Sequence, residues 1–282
     1  MNTRKRRQLR RATRRQRGGD WLQERIDEAK HTKMFDVTGM NLTSLPELPD
    51  SIKYVICNEN QLTSLPTLPY YLKVLSCSEN KLVELPDLPE SLSELHCVDN
   101  LLKKLPELNE ALISLHCGRN RLHQLPALNK WLGILDCEQN QLSSLPSLPD
   151  SLTMLNCSDN RLKKLPKMPP FLKELHCSGN QLTTLPLLPP SLKVLVCENN
   201  PWNPVYAKLL AKPNPIQAVR HYQTERKKEL EIAGRNLMRT RLLMKTNLPE
   251  NIISHIGKYS TGIQRNLEGQ IQNVRTEYVN MK

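Results

Sequence analysis

The chain has 282 residues, a formal net charge of +12, 38% hydrophobic and only 4% aromatic residues. With 10 glycines it holds no phosphate-cradling Gly-rich loop, zinc-protease motif or serine nucleophile elbow, which sets aside the common nucleotide-binding and hydrolase signatures. Its eight cysteines form no C-x-x-C pair, so a zinc site built from clustered thiols has no sequence basis.

Residues 1–19 carry nine basic side chains, Arg4, Lys5, Arg6, Arg7, Arg10, Arg11, Arg14, Arg15 and Arg17, and no acid. The run lacks the apolar stretch of a secretory signal. It is expected to be a disordered basic arm that neutralises nucleic-acid phosphates or is read by an import receptor, with a merely solubilising tail as the bland alternative. After Gly18-Gly19, Asp20 can cap a helix in which Trp21, Leu22, Ile26 and Ala29 make one apolar face. Phe35 and Val37 then stand where a repeat places Leu and Cys. Residues 20–40 are therefore expected to be an N-terminal helical cap with a first strand.

From here the chain repeats itself. Cys57, Cys77, Cys97, Cys117, Cys137, Cys157, Cys177 and Cys197 recur every 20 residues, with Asn at every multiple of 20 from Asn60 to Asn200. Residues 41–200 are thus one 20-residue unit written eight times, L-x-x-L-x-C-x-x-N-x-L-x-x-L-P-x-L-P-x-x. In Leu75-Ser76-Cys77 the alternation predicts a short strand with Leu75 and Cys77 on one face. Asn80 ends it, with an amide placed to bond the backbone of neighbouring coils. Pro66 and Pro69 remove two N–H donors and keep the return segment extended rather than helical. Stacking such units buries a continuous ladder of Leu and Cys, each Leu contributing roughly 1.5–3 kcal/mol.

This unit resembles the LPX-type leucine-rich repeats of secreted bacterial effectors. The likeness departs at Cys, which takes a place usually held by Val or Leu, at Asn109 and Asn129 in place of the second proline, and at Met168 in place of leucine. It implies an α/β repeat solenoid: a leucine-rich-repeat horseshoe with short parallel strands on the concave face, extended return segments, and helical regions at both ends. Some such effectors add a ubiquitin-ligase domain with a cysteine nucleophile. Here no cysteine follows Cys197 and about 80 residues remain, so that activity, and enzymatic activity generally, is not expected.

The cysteines have three readings: metal or redox groups, disulfides, or small apolar core residues. One thiol per rung makes a line rather than a tetrahedron, and in-register side chains disfavour the disulfide torsion. Core packing is the favoured reading, which points to a reducing intracellular compartment, cytosol or nucleus. No cofactor and no metal are expected.

Residues between the buried ones face outward and form columns across the rungs. One column reads Ile56, Ser76, His96, His116, Asp136, Asn156, His176, Val196; that after Cys includes Gly118, Glu138 and Glu198. Ser76, His96, His116, Asp136, Asn156, His176 and Glu138 are the candidate partner-binding residues, because varied side chains on a fixed frame suit recognition. A metal or acid–base role for His96, His116 and Asp136 is the weaker reading, since a flat column offers no closed pocket.

Beyond Asn200-Pro201-Trp202 the pattern stops, and Trp202 is expected to cover the last rung. The 201–282 region is predicted to be basic and helical, with a helix over 216–244 that contains Val219, Tyr222 and Leu230 and presents Arg226-Lys227-Lys228 outward. Near residues 247–282, Leu248, Pro249, Ile252 and Ile256 resemble the opening of an F-box, or the F-box-like tails of repeat proteins of large DNA viruses; a plain capping helix is the alternative.

Three functions therefore stand open. The first is a non-catalytic protein-interaction module, a pathogen or viral factor that grips a host protein in the concave face. The second is an F-box-like adaptor for ubiquitination, and the third a nucleic-acid-associated architectural or virion protein using the Arg-rich arm. A monomer without membrane contact is expected.

Overall fold

Each repeat contributes three residues of strand and returns to the next strand without a helix. The computed structural model describes residues 21–245. The strands are β1 (Met34–Asp36), β2 (Tyr54–Ile56), β3 (Val74–Ser76), β4 (Glu94–His96), β5 (Ser114–His116), β6 (Ile134–Asp136), β7 (Met154–Asn156), β8 (Glu174–His176) and β9 (Val194–Val196). They form one parallel sheet in sequence order, and every register step is one repeat, as in Leu95↔Leu115. The extended return segments follow from the Leu-Pro pairs, which supply turns such as Leu72 N–H to Pro69 O at 3.0 Å.

The core is a set of parallel columns. Leu72, Leu75, Cys77 and Leu82 have no exposed surface, and the same holds for their equivalents in the inner rungs. Phe35 and Val37 occupy these columns in the first rung and are equally buried. Ahead of them α1 (Trp21–Thr32) buries Ile26 and Ala29, while Trp21 and Leu22 are only half-buried. The apolar face expected of that helix is therefore narrower than its sequence suggests.

Stacking parallel coils leaves turn backbone groups away from water, and one asparagine per rung satisfies them. Asn120 is typical. Its Oδ1 accepts from Leu102 N–H at 3.0 Å, and its Nδ2 donates to Cys97 O, Cys117 O and Gly118 O at 2.9, 3.1 and 3.0 Å. The same set recurs from Asn60 to Asn200. The preceding residue adopts the left-handed conformation, with φ between 49° and 56° at Glu59, Glu79, Asp99, Arg119, Gln139, Asp159 and Asn199. An L-residue there is strained by roughly 1 kcal/mol or more. Only Gly39 and Gly179 avoid that strain in the corresponding turns.

Asn109 and Asn129 make a second, shorter ladder where other repeats have proline. Asn109 Nδ2 donates to Pro89 O at 2.6 Å, and Asn129 Nδ2 to Asn109 O and Leu112 O, both at 2.9 Å. At the last rung, Trp202 Nε1 donates to Cys197 O at 3.2 Å, which ties the indole to that rung's backbone.

All eight thiols are free and buried. Burial pushes the Cys57 and Cys157 thiols up to about 12 and Cys197 up to about 11, and it raises the other five as well. Cys137 and Cys157 donate weakly to Asn156 O and His176 O at 3.4 and 3.5 Å. These are the contacts of small apolar residues, not of nucleophiles.

A second compact unit comprises Leu185–Leu188 and the described residues from Asn203 onward. In it Asn203 caps α2 (Pro204–Leu210) by accepting from Val205 N–H and Tyr206 N–H at 3.0 and 2.9 Å. The long helix α3 (Pro215–Lys245) buries Val219, Gln223 and Leu230. Gln223 bonds Leu188 N–H at 3.1 Å and Pro186 O at 2.9 Å, while Tyr206 donates to Leu185 O at 3.0 Å. Arg226 and Lys228 pair with Glu229 and Glu225 at 3.1 and 2.9 Å, so two members of the basic cluster are already matched on their own helix.

The basic residues Arg4 to Arg17, the capping Asp20, and the segment with Leu248, Pro249, Ile252 and Ile256 lie outside the described residues. No described helix is long and apolar enough to cross a membrane.

Two outcomes are expected. Asn120→Ala strands one N–H and at least two carbonyls, each costing about 1–3 kcal/mol, so chemical denaturation should show a loss of at least about 3 kcal/mol. Asn200→Ala, at the more exposed end rung, should lose less. Native protein should react slowly with a thiol reagent near neutral pH, Cys197 first, whereas denatured protein should titrate all eight thiols.

Candidate functional site

Alternation within each strand sends the middle residue inward and its two neighbours outward, and a third outward position follows the Cys. Three parallel columns therefore line the open face of the sheet. The first runs Tyr54, Val74, Glu94, Ser114, Ile134, Met154, Glu174, Val194; the other two are those already read from the repeats. The first column is absent from the candidates drawn from sequence. Its signal was present in the same alternation, two residues before each candidate of the second column.

His96 and His116 lie on adjacent strands with rings stacked, centroids 4.6 Å apart and planes 7° from parallel. His96 Nε2 is 3.5 Å from Glu94 Oε2. Burial, then the neighbouring His116, lower the His96 pKa, and Glu94 opposes them. His116 Nδ1 is 3.8 Å from Asp136 Oδ2, and its Nε2 is 3.0 Å from Ser114 Oγ. Asp136 Oδ1 accepts from Glu138 N–H at 3.2 Å, and Asn156 Nδ2 donates to Glu138 Oε2 at 2.9 Å. Gly118 makes room for this, because a Cβ there would sit 2.9 Å from Glu138 Cγ. The fold thus joins His96, His116, Asp136, Glu138 and Asn156 in one polar chain across four strands.

Two candidates stand apart from it. Ser76 donates to Asn58 Oδ1 at 2.9 Å, two rungs before His116. His176 lies beyond Asn156, with Nε2 buried and 3.9 Å from Glu174 Oε2. On the last rung Glu198 is held below the usual carboxylate range by its own backbone N–H and by Ser178, whose hydroxyl donates at 2.9 Å.

Ser114, His116 and Asp136 are connected in the order of a hydrolase triad. The chemistry does not follow. Ser114 is buried, and the nearby N–H groups of Ser114 and Cys117 are bonded to Ser93 O and Asp136 O at 3.2 and 2.8 Å, leaving those donors unavailable to an oxyanion. Among the described residues, no group of three His, Cys, Asp or Glu could hold a metal ion. The same contacts hold this polar surface firmly in position.

A second exposed row, missed in the sequence, runs along the position before each inner Leu. Tyr71, Trp131 and Phe171 are 57, 61 and 64% exposed, and each is followed one rung later by a serine. Ser91, Ser151 and Ser191 each donate to two carbonyls of the aromatic rung, at 2.7 to 2.9 Å. Lys130 Nζ lies 5.4 Å from the centre of the Trp131 ring.

Stacked coils of 20 residues, an asparagine in every turn and a one-repeat parallel register define a leucine-rich-repeat solenoid. Among solved structures the chain is similar to YopM from Yersinia enterocolitica, at 40% identity and TM-score 0.60, over 60% of this chain and 38% of that one. It is also similar to a Shigella effector leucine-rich-repeat domain, at 29% identity and TM-score 0.53, over 69% of this chain and 84% of that domain. The functional domain of InlJ from Listeria monocytogenes, which includes a cysteine ladder, matches at 26% identity and TM-score 0.55, over 69% of this chain and 44% of that one. The chain thus spans well under half the length of YopM. It matches no protein-family model and no curated protein.

The depressed His96 has a readable consequence. Its folded pKa lies below the ordinary 6.5, so stability is full above that value and falls as pH drops through it toward the folded value. Melting temperature should decline as pH falls below about 6.5, and His96→Gln should flatten that decline.

Proposed function

We propose that the chain is a non-catalytic binding protein whose concave face docks a protein partner, and that it acts as a bacterial-effector-like factor on proteins of a host cell. The observation that carries this is the open sheet face itself: varied, polar and pre-positioned side chains on an invariant frame, joined from His96 to Asn156 by contacts that fix their geometry. The likeness to a Shigella effector domain and to YopM supports the effector reading. Eight free thiols suit a reducing compartment, cytosol or nucleus. The LPX type of repeat, with its paired Leu-Pro steps, belongs to the same reading.

The test is affinity capture from host-cell lysate with the intact chain and with an Asp136→Lys, Glu138→Lys variant. Both side chains are on the outward face but hold local contacts, so the variant's circular dichroism and melting temperature are measured alongside to establish that it is folded at the capture temperature. Reversing two central charges should reduce the captured partner at least about tenfold. Retention of the same partner at the same level would move the binding surface elsewhere.

A further inference from the structure

The open sheet face carries the opposite charge to the chain as a whole. Its three columns over nine strands hold six carboxylates, Asp36, Glu94, Asp136, Glu138, Glu174 and Glu198, and no lysine or arginine. The chain nevertheless has a net charge of +12, and nine of its basic residues fall between residues 4 and 17. Among the described residues, Glu138 is the one carboxylate of the six with a permanently cationic neighbour, Arg119 at 3.7 Å. Glu94, Asp136 and Glu174 face histidines at 3.5 to 3.9 Å, and those are charged only when protonated.

Resting on the reading of this face as the docking surface, we propose that it is occupied by the chain's own basic arm, residues 4–17, which a partner must displace. The spacing fits. Arg6-Arg7, Arg10-Arg11 and Arg14-Arg15 recur every four residues, roughly 13 Å along an extended chain. The carboxylates fall on the first, fourth, sixth, eighth and ninth strands. The first step is therefore three strands, roughly 14 Å, and the two central steps are two strands each, roughly 10 Å, all within reach of long arginine side chains spaced at roughly 13 Å. The arm also reaches. Twenty residues precede Trp21 and span up to roughly 65–70 Å when extended. Asp136, five strands in from β1, lies roughly 24 Å away across the sheet, and the length of α1 adds at most ~18 Å. Arginine suits the role, because a planar guanidinium bonds a carboxylate through two N–H groups at once.

The experiment uses the full chain without any partner. The native thiols are buried and raised, so Thr13→Cys places one reactive site between Arg11 and Arg14 for a nitroxide label. Amide resonances of His116, Gly118 and Glu138 should be broadened at low salt and recover near 1 M salt, where the screening length is ~3 Å. The broadening should also disappear in a Glu94→Gln, Asp136→Asn, Glu138→Gln variant, whose retained resonance dispersion would confirm folding. Unbroadened resonances, or broadening that persists in the carboxylate variant, would overturn the proposal. So would broadening of unlabelled molecules mixed with labelled ones, since that places the arm on a second copy. The capture experiment reads the partner and this one reads the arm, so each can fail alone.

Discussion

The carboxamide of the asparagine that ends each strand closes the turn in both directions. It accepts from the rung before and donates to carbonyls of its own rung and the previous one, as Asn120 does with Leu102, Cys97 and Cys117. No other uncharged side chain of that length supplies both an acceptor and two donors, so aspartate or leucine would each leave part of the set unmet. Because the turn is satisfied internally, the coil can be as short as 20 residues and still bury its backbone. The left-handed residue before each Asn is the geometric counterpart: it turns the chain so that the amide points inward.

With the turns closed, the leucine and cysteine columns pack without helices on the return side. The thiols that first suggest chemistry are instead small fillers of one buried column, where burial holds them protonated. The functional domain of InlJ, one of the structural neighbours, also includes a cysteine ladder.

The repeat frame was legible in the sequence because periodicity leaves little choice: a step of 20 fixes which residues share a column. Strand positions, the extended returns and the role of Asn80 all follow from local rules. What was not legible depends on contacts between rungs. Nothing in one repeat says that Gly118 clears space for Glu138, that His96 and His116 stack, or that Asn109 and Asn129 build a ladder where proline is missing. The row of Tyr71, Trp131 and Phe171 escaped for a different reason, since single aromatic residues in a repeat look like core until their exposure is seen. The candidate face was half legible: the second and third columns came from spacing, while Glu94 and Glu174 required the first.

Each rung of the solenoid bonds to its immediate neighbours through the same few atoms. A gene that gained or lost one copy of the unit would therefore change the width of the sheet by one strand and leave every type of bond intact. The outward residues of the new copy would drift freely, because none of them takes part in the closure. Such a chain can alter what it recognises by recombination among its own repeats, without passing through an unfolded ancestor.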